Sequence, residues 1–227
     1  MSDLVPYNPL DKKNLGASVA EALLGRKLQP LRGLPAFHGA GIYVIYYSGS
    51  FNAYHQLSER NQIADPVAPI YVGKAIPAGG RKGGVAPEDS KSKALCTRLR
   101  EHAESISTTQ NLKIDDFQCR FLVVDDIWIP LGESLLIAKF APIWNTLIDG
   151  FGNHDPGKGR HSGMRPKWDV LHPGRAWAEK CQPRSETAEQ IAREAKSHLA
   201  AIIPPKSPHF LVEQNRAAYT VHRSSST

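Results

Sequence analysis

The 227-residue sequence has few features of a membrane or secreted protein. Its apolar runs are all shorter than the ~20 residues that a helix needs to cross a bilayer, and its first nine residues lack the basic and then apolar order of a secretory signal. We therefore expect a cytoplasmic protein without a membrane partner. The three cysteines, Cys96, Cys119 and Cys181, are widely separated and form no Cys-x-x-Cys pair, which favours reduced structural thiols over disulfides or a zinc site.

The net charge of +6 is modest, but the charge is unevenly distributed. Residues 74–100 hold seven Lys or Arg against two acids, and residues 151–184 hold seven against three. Residues 101–149 have the opposite balance, with three against eight. Most charged residues only form solvated surface, but both basic stretches also contain glycines or aromatic residues that bring a ligand close. The pattern therefore favours a groove for a polyanion.

Two short segments with alternating apolar residues predict a pair of strands. They are Gly41-Ile42-Tyr43 and Ile70-Tyr71-Val72-Gly73-Lys74. If they pair, Tyr43 and Tyr71 present their hydroxyls from one face of the sheet, and Lys74 lies at the strand end. Two phenols and an ammonium would then converge on one point.

Further periodic segments complete the predicted fold. Residues 117–124 read as a third strand, and helical periodicity covers about 17–24, 92–105, 131–140 and 186–203. Composition and length indicate a single globular domain. The sequence thus predicts an α+β sandwich, in which helices flank a small, mainly antiparallel, three-stranded central sheet, with helical or loop extensions at both ends.

The predicted helices carry a few polar residues in suggestive places. Arg98 and His102 are four residues apart and share a helix face, although such a pair is usually solvated surface. Glu133 is the sole acid of an apolar helix, where it is either a partner of the helix dipole or one hard oxygen ligand for a divalent cation. Asn145 follows Pro142 at the end of that helix and has a capping or turn role as its simplest explanation.

Two glycine-rich basic loops are candidate nucleic-acid contacts. The loop at 75–93 lacks the Gly-Lys-Ser/Thr ending of a phosphate-binding loop, so we expect no nucleotide cofactor, and it either contacts a phosphate backbone or is a flexible solvated loop. The loop around 149–165 has the side chains that read purine edges, and Trp168 and Trp177 are expected to anchor its return to the core. Metal binding by His154, His161, His172 and Cys181 is conceivable, but their spacing fits no zinc pattern. The candidate contacts are Arg81, Lys82, Lys91, Lys93, Arg100, Asn153, His154, Lys158, Arg160 and Arg165.

Taken in order, the polar residues resemble the site of the GIY-YIG nucleases, with Val72 in place of the second motif's isoleucine. The matching set is Tyr43, Tyr71, Lys74, Arg98, His102, Glu133 and Asn145. The sequence around these residues resembles the type II restriction endonuclease branch that cuts GC-rich palindromes. The segment between the two tyrosine strands departs from short-spaced GIY-YIG modules in its length.

The resemblance implies site-specific hydrolysis of double-stranded DNA at a GC-rich palindrome. Glu133 would hold Mg²⁺, with Mn²⁺ as a substitute, and Arg98 would bind the phosphate. Tyr43 would accept the proton of the attacking water, within a network that includes Tyr71 and His102, while Lys74 lies near the phosphate. Cutting both strands implies a twofold homodimer, and the family implies a companion DNA methyltransferase.

Other assignments remain open on the sequence. Lys74 competes with Tyr43 as the base, and the rival functions are a homing or repair nicking nuclease and a non-catalytic sequence-specific DNA-binding protein. We expect one domain over 1–227 that comprises an N-terminal extension (1–40), a GIY-YIG nuclease core (41–146) with the inserted basic loop 75–93, a DNA-recognition loop region (147–184), and a C-terminal helix with a disordered tail (185–227).

Overall fold

The computed structural model describes residues 8, 10–62, 65–77, 92–155, 157 and 161–202. The tail beyond 202, most of the basic loop at 75–93 and the centre of the second glycine-rich loop lie outside these residues. In the described part of the chain, no helix combines the length and the apolar character that a membrane span requires.

A mixed fold with an antiparallel sheet confirms the predicted class. Among the described residues four strands form one sheet in the order β1-β4-β2-β3, and every neighbouring pair is antiparallel. The strands are β1 (Gln29–Pro30), β2 (Gly41–Tyr47), β3 (Pro69–Ala75) and β4 (Phe117–Val123). β1 was not predicted, because two residues with a proline are too short to show strand alternation.

The central strand β2 is buried along its whole length because helices cover both faces of the sheet. Tyr43, Ile45 and Tyr47 point into one apolar core, and Ile42, Val44 and Tyr46 point into a second core on the opposite face. This division follows from the alternation of side chains along a strand. Strand β2 therefore contributes to both cores.

The described helices form the two outer layers. They are α1 (Lys12–Leu24), α2 (His55–Asn61), α3 (Ala94–Ser107), α4 (Ile129–Phe140), α5 (Ile143–Thr146), α6 (Lys167–Leu171) and α7 (Ala188–Ile202). Helices α1 and α4 cover the face of Ile42 and Val44, and the other five contribute to the core on the opposite face. Helix α1 begins about five residues before the predicted start.

The long connection between β2 and β3 is closed by polar side chains. Asn61 at the end of α2 donates to the carbonyls of Tyr47 and Ala68 and accepts from the Ala68 N–H. On the other side of the sheet the buried Arg120 of β4 donates to the carbonyls of Arg26 and Pro66. These bonds satisfy backbone groups that a long loop would otherwise leave unpaired.

The chain beyond α5 packs into the core that contains Tyr43, Ile45 and Tyr47. Ile148, Phe151, Trp168 and Leu171 are buried with the residues of β2 and α3, and Trp168 is fully enclosed. Trp168 thus anchors this segment as expected, whereas Trp177 is only partly buried.

Candidate active site

Tyr43 of β2 and Gly73 of β3 lie directly opposite each other in the antiparallel ladder. The phenol ring of Tyr43 covers the glycine, because a Cβ atom on residue 73 would be 2.5 Å from Cζ and 2.9 Å from Cε2 of the ring. Real Cβ atoms do not approach so closely, and only glycine leaves room for the ring. The glycine of β3 is therefore matched to the tyrosine of β2.

Tyr43, Tyr71 and His102 form a tight aromatic cluster between the sheet and α3. The two tyrosine rings are 6.2 Å apart, and the His102 ring lies 5.4 Å from Tyr43 and 5.3 Å from Tyr71. The Tyr43 hydroxyl and His102 Nε2 form a 2.6 Å hydrogen bond. The structure thus brings these three predicted residues together.

Burial determines the protonation of this cluster. It raises the pKa of Tyr43 well above that of a free phenol, and neighbouring Tyr71 adds to the effect. Burial also raises the pKa of Tyr71. Burial and the charge of Arg98 lower the pKa of His102 well below its usual range. At neutral pH the cluster therefore holds two phenols and an uncharged imidazole.

Arg98 lies one turn before His102 on α3, and its guanidinium is held by the surrounding chain. It pairs with Glu101 at 3.2 Å, donates to the carbonyl of Gly152 at 2.6 Å and contacts the imidazole of His154. A fifth of the side chain remains exposed. The arginine is thus oriented by neighbours but reachable from outside.

Lys74 and Glu133 face each other across the end of β3. Lys74 Nζ is 2.6 Å from Glu133 Oε2, and the glutamate side chain, which projects from α4, is 18% exposed against 37% for the lysine. In the described residues no three His, Cys, Asp or Glu side chains lie close enough together to hold a metal ion between them. Glu133 is therefore a carboxylate outside any such cluster, and it is already ion-paired with Lys74.

Asn145 binds β3 from the side opposite to β2. Its carboxamide accepts from the Val72 N–H and donates to the Val72 C=O, both at 2.8 Å. Because Val72 lies between Tyr71 and Gly73, these two bonds fix the position of the part of β3 that carries both residues. Asn145 lines no part of the cleft described next, so its contact with the site is indirect.

These side chains surround an open cleft of about 420 Å³. Tyr71, Lys74, Arg98 and Glu133 line it, and they come from β3, α3 and α4. Tyr43 and His102 are buried behind this lining in contact with Tyr71. The cleft combines two carboxylates, those of Glu101 and Glu133, and two cations with a buried tyrosine-histidine pair, a set that can hold a phosphate and move a proton.

The cleft also includes residues that the sequence did not single out, namely Glu101, Gly152 and, behind them, Phe151. Phe151 stacks on His102 at 4.5 Å and meets the edge of Tyr71 at 4.9 Å. The spacing of Glu101, three residues after Arg98, was a usable signal because such pairs meet on a helix. Nothing local in the sequence marks Phe151 or Gly152.

The candidate DNA contacts divide into three groups. His154 lines the cleft and contacts Arg98. Lys93 and Asn153 are exposed, and each is next in sequence to a residue that lines the cleft. Arg100 donates to the carbonyl of Leu34, and Arg165 donates to the carbonyls of Ala178 and Glu179, so both guanidinium groups are engaged within the chain. The remaining five lie outside the described residues: Arg81, Lys82, Lys91, Lys158 and Arg160.

One family model matches the chain over residues 35–199, which include the sheet from β2 onward and every residue of the cleft. Its description is the Eco29kI GIY-YIG domain, and the family is one of type II restriction endonucleases. No curated protein matches the chain.

Proposed function

The chain belongs to the Eco29kI GIY-YIG family of type II restriction endonucleases, and from this premise we propose that its cleft cuts double-stranded DNA at a GC-rich palindrome. A DNA nuclease of a restriction system follows from the family itself. The site, the cation and the residue roles below are the proposal. Its main support is the convergence of Lys74, Arg98 and Glu133 on one cleft in front of Tyr43 and His102.

Arg98 binds a non-bridging oxygen of the scissile phosphate. Its guanidinium is planar and points into the cleft from α3, and a guanidinium can hold two phosphate oxygens at once. The negative charge that balances Arg98 comes from Glu101, whose side chain lies beside the guanidinium and is more exposed than that of Arg98. A phosphate that enters the cleft takes over part of that role and is neutralised as its charge grows in the transition state.

Glu133 is the residue that would hold Mg²⁺ or, as a substitute, Mn²⁺. The donor set fits, because Mg²⁺ keeps several water ligands and often binds a protein through one or two carboxylates together with substrate phosphate. The ammonium of Lys74 sits 2.6 Å from the same oxygen, so this carboxylate lies where a cation is stabilised. When bound, the metal supplies positive charge to the phosphate and the departing oxygen.

Tyr43 is the proposed acceptor of the water's proton, acting together with His102. Burial keeps the phenol protonated, so Tyr43 accepts a proton only as it passes its own to His102 Nε2, 2.6 Å away. In the tautomer with its hydrogen on Nδ1, the uncharged imidazole has a free lone pair on Nε2 for this proton. Because burial and the charge of Arg98 lower the pKa of His102, the imidazole holds the proton only briefly. Lys74 remains the second candidate, since it lines the cleft directly whereas Tyr43 lies behind Tyr71. Single-turnover rates of Tyr43→Phe and Lys74→Met separate the two assignments.

The partners of the enzyme follow from the reaction. A twofold homodimer places two such clefts on the two strands of a palindrome, and a companion methyltransferase protects the host site. The division into an N-terminal extension, a nuclease core over 41–146 and a recognition region over 147–184 belongs to the same proposal. Among the described residues of this recognition region, Gly152 and His154 line the cleft.

The test begins with plasmid DNA of known sequence, Mg²⁺ and mapping of the fragment ends. Cleavage stops in EDTA and returns with Mg²⁺ or Mn²⁺. A duplex that contains the mapped site is then used with Glu133→Gln, which keeps the side chain's shape but removes its charge. This variant retards the duplex in a gel and does not cut it, whereas Glu104→Gln, an exposed acid of the same helix as Arg98, cuts normally.

Three outcomes contradict the proposal. Full cleavage by Glu133→Gln refutes the metal assignment. A wild-type monomer that only nicks one strand favours a homing or repair nuclease. Tight binding of one sequence by wild-type protein, without cleavage in any divalent cation, favours a DNA-binding protein that lacks catalysis.

A further inference from the structure

The carbonyl that holds Arg98 belongs to a segment without helix or strand, residues 150–154. Phe151 of this segment stacks on His102, and Gly152 is so close to Tyr71 that a Cβ atom there would lie 2.7 Å from the phenol oxygen. Each of these contacts needs the backbone of the segment at one definite place. Irregular backbone has no ladder of its own to define that place, so another group must do so.

Arg175 supplies that group from the following part of the chain. Its buried guanidinium donates to the carbonyls of Gly150 at 2.9 Å, Phe151 at 3.1 Å and Asn153 at 3.0 Å. These are the carbonyls before and after Gly152, whose own carbonyl is left for Arg98. Two guanidinium groups thus share four successive carbonyls, three for Arg175 and one for Arg98.

The guanidinium of Arg175 is itself fixed on every side. Asp169 accepts two bonds from it, at 2.7 and 2.6 Å, and the rings of Trp168 and Trp177 lie 4.5 and 4.8 Å from its central carbon. With the three carbonyls, all five N–H donors of the side chain are used. A lysine has neither the planar fork nor the stacking surface and cannot reproduce this arrangement.

We infer that Arg175 is a positioning residue for the catalytic arginine: it sets the carbonyl of Gly152 that orients Arg98 toward the phosphate. The inference rests on the proposed role of Arg98. Arg175 lines no part of the cleft. Its effect on cleavage passes through the backbone of residues 150–153.

Arg120 provides a matched control for the loss of a buried arginine. It is 4% exposed against 6% for Arg175, donates to two backbone carbonyls, pairs with Asp65, and lies 5.0 Å from the centre of the Tyr46 ring. It packs against Tyr46 and lines no part of the cleft. A change to lysine removes interactions of the same kinds at both sites, although fewer at Arg120, and at Arg175 those interactions are attached to the active site.

The experiment compares Arg175→Lys and Arg120→Lys with wild-type enzyme by single-turnover cleavage, well below the melting temperature of each. Saturating enzyme removes any effect of weaker DNA binding from the measured rate. We expect Arg175→Lys to cut about tenfold to a hundredfold more slowly, as a displaced catalytic group does, and Arg120→Lys to stay within about threefold of wild type. A wild-type rate for Arg175→Lys overturns the inference.

A double-mutant cycle with Arg98→Lys tests the route of the effect. If Arg175 acts through Arg98, the change Arg175→Lys slows the Arg98→Lys enzyme by less than about threefold, because the residue that it orients is already gone. Equal losses in both backgrounds show that the effect of Arg175 does not pass through Arg98, and they overturn the inference. A wild-type rate for Arg98→Lys alone instead contradicts the proposed function.

Asp169→Asn is the second variant if Arg175→Lys does not fold. It leaves the guanidinium and its carbonyl bonds in place, but it removes the charge of the partner and one of the two bonds that Asp169 accepts, because an amide has a single acceptor oxygen. We expect the same non-additivity with Arg98→Lys on a smaller loss of rate. Additive losses in this variant count against the inference in the same way.

Discussion

The closest fit in the site, between Gly73 and Tyr43, makes Gly73→Ala the most direct test of the geometry. The added methyl carbon would lie 2.5 Å from the phenol's Cζ, about 1 Å inside the 3.4 Å at which ordinary contact begins. Tyr43 is fully buried, so the ring has no open space to move into. Either the ring or the backbone of β3 must shift by about that distance.

The shift has two measurable consequences. Overpacking of this kind costs about 1–3 kcal/mol of unfolding free energy, which urea denaturation detects. A move of about 1 Å also breaks the 2.6 Å hydrogen bond between Tyr43 and His102, and misplacement of this size in a catalytic group costs about a hundredfold in rate. Single-turnover cleavage at a temperature where the variant is fully folded measures the second effect separately.

Gly25→Ala is the matched control, since a Cβ atom there would be 3.5 Å from its nearest neighbour, the carbonyl of Glu21. It should alter neither the cleavage rate nor the urea midpoint. A Gly73→Ala enzyme with the stability and the rate of wild type would show that the ring of Tyr43 is not confined by β3. The account of the Tyr-Val-Gly strand would then be wrong.

Two further predictions concern stability. Asn145→Asp removes the donor to the Val72 carbonyl and puts a carboxylate beside it, so we expect a loss of about 1–3 kcal/mol of unfolding free energy in urea denaturation. An unchanged midpoint would contradict the stabilisation of β3 by Asn145. Burial lowers the pKa of His172 to about 3, so the unfolded chain takes up a proton below pH ~6.5 that the folded chain refuses. Stability from this group is complete above pH ~6.5 and falls by about 1.4 kcal/mol per pH unit between there and pH 3; His172→Gln should lack this part of the slope, and an equal slope would refute the assignment.

The strands and helices of the site were predictable because their patterns are local. Alternation at Gly41-Ile42-Tyr43 and at Ile70-Tyr71-Val72 predicted a strand pair, and the register of Tyr43 with Gly73 confirms it. The four-residue spacing of Arg98 and His102 predicted a shared helix side, and both contact the segment 151–152. Their chemical roles stay predictions.

What the sequence did not reveal depends on distant partners. The count of basic residues in 151–184 predicted a DNA-facing surface, yet Arg175 is buried there because Asp169 and two tryptophans enclose it. Arg165 likewise donates to carbonyls of its own chain. A charge pattern cannot separate an arginine that binds DNA from one that binds backbone carbonyls, because both add the same charge to the count of basic residues. The strand Gln29–Pro30 was missed because two residues are too short to show alternation, and its identity comes from pairing with β4.

Within the described chain β3 is the outermost strand on its side of the sheet, and the backbone groups of its middle residue, Val72, turn away from β2. Exposed groups of this kind invite a foreign polypeptide to add itself as one more strand, which is how many sheets begin to aggregate. The carboxamide of Asn145 occupies both of them. The cleft can therefore lie open beside an edge strand, while Asn145 blocks the addition of another strand at Val72.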